Sequence, residues 1–178
     1  MKSTITVVKL KFIYLCIYIL APVFWIGIYI EIWGSRGLIS FHYLLMGAVI
    51  FFIGTPVHEL IHYYCFILFD GVDKRDITIN FDIKNFTAYV VCGVATTSRR
   101  YRVSAISPFI FLGLLPSTYG LIFESPSVGI AGVLGIASCA GDLVLFALLM
   151  HISSIVLVSR YVSRHEGRII RLGFVSAP

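Results

Sequence analysis

Charge is what this sequence has least of. Only 13% of its 178 residues are Asp, Glu, Lys or Arg, while 58% are hydrophobic. An average soluble domain is about 25% charged. Mean hydropathy is +0.94. A chain this short cannot hide several long, nearly charge-free runs from water by packing them on one another, so a soluble domain with an oversized core is excluded. Cysteine is also sparse. Cys16, Cys65, Cys92 and Cys139 form no CxxC pair, and three of them lie in apolar runs. They read as buried thiols, which excludes a disulfide framework. Acidic residues number nine against fourteen Lys and Arg, a formal charge of +5. That excess alone could suggest nucleic acid, and its distribution along the chain decides otherwise.

Lys2, Lys9 and Lys11 precede an apolar run, as in a signal peptide. The run continues for about twenty residues with no A-x-A cleavage pattern, so a retained first span is expected. The fold class expected from the whole chain is an all-α polytopic membrane protein: one membrane-embedded domain over 1–178 with about four transmembrane helices. The first span covers roughly 10–30, with Pro22 and Gly27 inside it and Trp25 and Trp33 near its exit as interfacial aromatics. The second covers 41–69. Unbroken, it is about 43 Å long against an apolar core of about 30 Å, so it must tilt, protrude or break, and Gly54 and Pro56 offer a place to break. The third covers 103–123. The fourth covers 128–158 and opens with Gly129, Gly132 and Gly135, small residues that let helices approach closely.

Between the second and third spans, residues 70–102 form a surface loop of different character. Asp76 to Ile83 alternates polar and apolar residues, a strand signal, and a turn at Lys84-Asn85 leads into a second strand over Thr87 to Val94. A short β-hairpin is expected there. Lys and Arg crowd the N-terminus, this loop (Lys74, Arg75, Lys84, Arg99, Arg100, Arg102) and the tail 159–178 (Arg160, Arg164, Arg168, Arg171). The other two loops carry Glu31 with Arg36, and Glu124. With four spans these two groups fall on opposite sides, and the positive-inside rule places both termini and the hairpin loop in the cytoplasm of a multi-pass cell-membrane protein. The basic tail suits anionic lipid headgroups, and no nucleic-acid partner is needed to explain the charge.

One motif carries chemistry: His58-Glu59-Leu60-Ile61-His62, an H-E-x-x-H. On a helix the two histidines lie about 6 Å apart along the axis and share a face, so both imidazoles can reach one Zn²⁺, and Glu59 beside them can take a proton from water. A Glu in a lipid-embedded helix without compensation costs at least about 2–3 kcal/mol, which a metal within a polar cavity would offset. A third ligand is required. Asp142 is the other intramembrane carboxylate, and its own segment holds no Lys or Arg. Counted back from the cytoplasmic ends of the expected spans, His62 lies about 10 Å deep and Asp142 about 24 Å, a mismatch for straight helices. His42, His151 and Cys139 are rival ligands, and the choice is His58, His62 and Asp142 with water in the fourth position. Gly141 offers room for a close approach. Thr55, Tyr63 and Tyr64 flank the motif.

With His58-Glu59-x-x-His62 in one span, Gly141-Asp142 in a later one, and the stretch Tyr89 to Arg102 followed by a span containing Ser107-Pro108, nearly the whole chain resembles a family of small bacterial membrane proteins described as zincin peptidases, formerly a domain of unknown function. It is distantly similar to intramembrane metalloproteases of the site-2 protease type. The resemblance implies zinc held by His58 and His62, Glu59 as the catalytic base, and a later Asp as third ligand. In the site-2 pattern that Asp precedes a Gly; here Gly141 precedes Asp142 and Leu143 follows.

The expected function is a zinc-dependent membrane-embedded endopeptidase acting on membrane or membrane-proximal protein or peptide substrates. A transmembrane substrate must unwind locally, and the hairpin edge could pair with the unwound strand. The alternatives are a non-proteolytic zinc-containing binding or scaffold protein, and a small transporter, for which too few further polar groups lie within the spans.

Overall fold

In a computed structural model, residues 7–35, 40–82, 87–94, 96–150, 157–162 and 170–175 are described. Helix α1 spans Val7–Trp33 and α2 spans Phe41–Asp70. A 3₁₀ turn at Lys74–Asp76 leads into strands β1 (Ile77–Asp82), β2 (Thr87–Cys92) and the two-residue β3 (Thr96–Thr97). Helix α3 (Ser98–Pro108) continues through a π-helical stretch (Phe109–Leu114) into α4 (Leu115–Ile122). Helices α5 (Pro126–Ser138) and α6 (Ala140–Met150) follow, then β4 (Leu157–Val162) and β5 (Ile170–Val175).

Among the described residues, three helical runs are long and apolar enough to cross a membrane: Ile13–Trp33, Phe41–Phe69 and Ser98–Ile122. The pair α5–α6, bent by 51°, makes a fourth if counted as one span. Very little of α1 and α2 is buried against the rest of the protein. Phe24, Phe52 and Leu68 are each more than 70% exposed. Apolar faces of this extent are what a lipid-facing helix presents.

Several boundaries differ from expectation. Helix α2 does not break at Gly54-Pro56; it runs through Pro56. Proline removes one helical donor, a loss that apolar spans tolerate. The third span starts at Ser98 rather than 103 and so takes in Arg99, Arg100 and Arg102. The fourth does not continue as helix to 158: α6 ends at Met150 among the described residues, and Leu157 already belongs to β4. Nor are the strands confined to one hairpin. β1 and β2 pair antiparallel, from Ile77 with Cys92 to Asp82 with Thr87. A second, three-stranded sheet of order β3-β4-β5 draws in the basic tail. The expected turn at Lys84-Asn85 lies outside the described residues.

By contacts the chain forms two compact units, and the division falls inside α2, between Thr55 and Pro56, and inside α6, between Val144 and Leu145. The first comprises Met1–Thr55 and Pro108–Val144. Its core is Trp25, Tyr29 and Val133, with Leu121 and Ile130 packed against them. Trp25 is therefore not an interfacial anchor: it is buried and its indole N–H donates to the Ser117 carbonyl at 2.9 Å. The glycines of α5 act as their spacing suggested. A Cβ on Gly132 would run into the Ser117 backbone, and one on Gly129 into the Trp25 ring.

The bend between α5 and α6 has a local cause. The Ser138 hydroxyl donates to the Gly135 carbonyl at 2.8 Å, and Cys139 leaves helical geometry at φ −79°, ψ 3°. Serine bonding back to its own helix favours bending.

The second unit comprises Pro56–Ser107 and Leu145–Pro178. Its core is Phe66, Val72, Ile77, Val90, Cys92, Tyr101 and Leu149. Phe66 meets Tyr101 edge-on, with centroids 5.6 Å apart. This core fastens the C-terminal half of α2 to the β1–β2 hairpin and to α3. Gly71 ends α2 at φ +62°, a conformation glycine adopts without Cβ strain, and Val72 N–H closes back on the Phe66 carbonyl at 3.3 Å.

Candidate metal centre

Since α2 continues through Pro56, His58 and His62 sit one turn apart on a regular helix. Their Nε2 atoms face each other at 3.2 Å. Two nitrogens each about 2.05 Å from one tetrahedral zinc would stand about 3.3 Å apart. The pair therefore already has the spacing of two ligands on one ion. His62 is buried and His58 partly so. The other ring nitrogen of His62, Nδ1, lies 3.1 Å from the Ser104 carbonyl and 3.4 Å from the Ser104 hydroxyl, on α3. A carbonyl can only accept, so Nδ1 carries the proton and Nε2 keeps its lone pair for a metal.

Glu59 is partly buried, and its Oε2 accepts the Val90 backbone N–H at 3.0 Å. The hairpin register explains why that N–H is available. Gly93 N–H donates to the Asp76 carbonyl at 2.7 Å, which makes that pair a hydrogen-bonded one. Along the ladder, Thr78–Val91 and Asn80–Tyr89 are the next such pairs, and Ile79–Val90 between them is not. Val90 therefore turns its N–H away from β1. Among the described residues, β1 is the only strand hydrogen-bonded to β2, and the outward N–H of Val90 is taken by Glu59.

Asp142 is half-buried in the first turn of α6, and Cys139, at the bend, is fully buried. A ligand atom of Cys139 and one of Asp142 lie within 4.8 Å of each other. Imidazole, thiol and carboxylate are all zinc donors, so the chemistry of the set suits that ion. His62 stands eight residues before Asp70, the last residue of α2, about 12 Å.

The remaining candidates lie elsewhere. His42 is exposed near the start of α2, and His151 lies outside the described residues. The Thr55 hydroxyl donates to the Phe51 carbonyl, Tyr63 packs on the core, and Tyr64 is exposed. Space is open beside Gly141: a Cβ there would meet only the Tyr14 hydroxyl at 3.9 Å. The Ser104 carbonyl and the Val90 N–H have no sequence signature. They are backbone groups, and only the packing of α2 against α3 and the hairpin reveals them.

Residues 51–156 match the sequence profile of a family described as "Putative zincin peptidase". No curated protein and no solved structure matches the chain.

Proposed function

The chain belongs to this zincin peptidase family, and we propose on that footing that it is a membrane-embedded zinc endopeptidase that hydrolyses peptide bonds of membrane or membrane-proximal proteins. One observation carries the reading: two imidazole Nε2 atoms at ligand spacing, with a carboxylate on the adjacent helical position.

His58, His62 and Asp142 would hold the ion. Zinc, when bound, supplies a Lewis acid for the scissile carbonyl and eases deprotonation of water. Glu59 accepts the water proton as the new C–O bond forms and returns it to the amide nitrogen as the C–N bond breaks. Val90 N–H fixes one carboxylate oxygen of Glu59, leaving the other to face the water. An unwound substrate segment would pair with an open edge of the hairpin, where backbone pairing requires no particular side-chain sequence. The apolar exposure of α1 and α2 supports a bilayer setting, and the distribution of Lys and Arg supports cytoplasmic termini with the hairpin on the same side.

The Val90–Glu59 bond also favours a second reading, in which Glu59 braces the hairpin of a non-proteolytic zinc-containing scaffold. Glu59→Gln separates the two. Protein N-termini newly exposed in membranes of cells expressing the wild type are compared with those from cells expressing Glu59→Gln, and zinc per chain is measured in both. A peptidase predicts a set of cleavage sites that vanish in the variant while zinc is retained. Identical N-terminal profiles would refute the peptidase reading and leave the scaffold.

A further inference from the structure

Helix α3 contains a carbonyl whose usual partner is missing by covalent structure. In an α-helix the carbonyl of residue 104 accepts the N–H of residue 108. Residue 108 is proline, which has none. Pro108 nevertheless keeps helical dihedrals, φ −61° and ψ −37°, so α3 is not broken and the Ser104 carbonyl stays on the helix surface. Ser107 does not take that carbonyl with its side chain, since its hydroxyl donates to Val103 at 2.6 Å. The His62 ring does reach the Ser104 oxygen, through Nδ1 at 3.1 Å.

We propose that Pro108 is a positioning residue of the metal centre. By withholding an N–H from the Ser104 carbonyl, it reserves that oxygen for His62 Nδ1–H and so fixes Nε2 as the nitrogen that faces the ion. Three observations meet here. Ser104 and His62 are both buried, so a lost bond is not replaced by water. The carbonyl is nearer than the hydroxyl of the same residue, 3.1 Å against 3.4 Å, so the backbone oxygen is the principal acceptor. The nitrogen left by this tautomer is the one 3.2 Å from His58 Nε2. Partners that fix the tautomer of a ligating histidine commonly contribute about 10–100-fold to metal affinity.

The inference rests on the zinc reading above, but its test begins on metal-free protein. Two-bond ¹H–¹⁵N correlation spectra of ¹⁵N-histidine-labelled protein in detergent report which ring nitrogen of His62 carries the proton when the ring is neutral. The wild type should show the Nδ1–H tautomer. Pro108→Ala supplies the missing N–H and removes a poor helix former, so α3 should fold at least as well. It should nevertheless move His62 toward the mixed tautomers of free imidazole and weaken zinc binding about tenfold, read by chelator competition. Ser104→Ala keeps the carbonyl and should leave both tautomer and affinity near wild type.

An Nε2–H tautomer in the wild type overturns the proposal, with no variant needed. So does a Pro108→Ala protein with unchanged tautomer and affinity, or a Ser104→Ala protein as impaired as Pro108→Ala. A wild type with the Nδ1–H tautomer that binds no zinc would instead sink the peptidase reading and leave the tautomer lock standing.

Discussion

Asp142 and Cys139 are three residues apart and offer an oxygen and a sulfur to the same spot. Their surroundings differ. Cys139 has no exposed surface, whereas Asp142 is half-buried in the first turn of α6, where backbone N–H groups favour a negative charge. Asp142 is therefore expected to be the third ligand. Asp142→Asn should lower zinc affinity by at least about tenfold, and Cys139→Ala should leave it within about twofold, both by chelator competition. The reverse ranking would assign the position to sulfur. At this scale the sequence was readable wherever chemistry resides in a side chain. The spacing of His58 and His62 identified the pair, and Asp142 was conspicuous as a carboxylate in an apolar run. The acceptor for His62 and the donor to Glu59 were invisible because every residue carries a carbonyl and all but proline an N–H. Pro108 could be seen, but its meaning depends on which helix packs beside it.

Among the elements, the hairpin followed its alternation closely, since a period of two cannot be accommodated on a helix. The helix ends followed less well. An apolar run does not say where its last turn lies, so the third helix was drawn five residues short and the fourth was carried into β4, which begins at Leu157. The tail reads as basic before it reads as β-forming, and its charge masked β4 and β5. The glycines of α5 supply a test of the packing. Gly132→Ala forces a Cβ against the Ser117 backbone and should cost about 1–3 kcal/mol of unfolding free energy. Gly27→Ala, with nothing within 4 Å of the added carbon, should gain up to about 1 kcal/mol from helix propensity. Unfolding of both variants in mixed detergent micelles measures the difference. Equal responses would mean that α5 does not lie as close to its neighbours as the structure has it.

At the scale of the whole molecule, the distribution of Lys and Arg sets the expected threading. The positive-inside reading puts the β1–β2 hairpin and the turn at Glu124 on opposite sides of the bilayer. Both positions are exposed. A cysteine placed at Glu124 should react with a membrane-impermeant maleimide in intact cells, and one at Asn80 only after the membrane is opened. Labelling of Asn80→Cys in intact cells would invert the orientation and put the supposed substrate edge outside.

Two of the three proposed donors ride on a single unbroken rod, so their mutual distance is set when the helix forms and not when metal arrives. The incoming ion meets a ready-made bidentate chelator, and only the last donor has to find its place. Loading and release would then turn on one carboxylate, while the imidazole pair keeps its bite throughout.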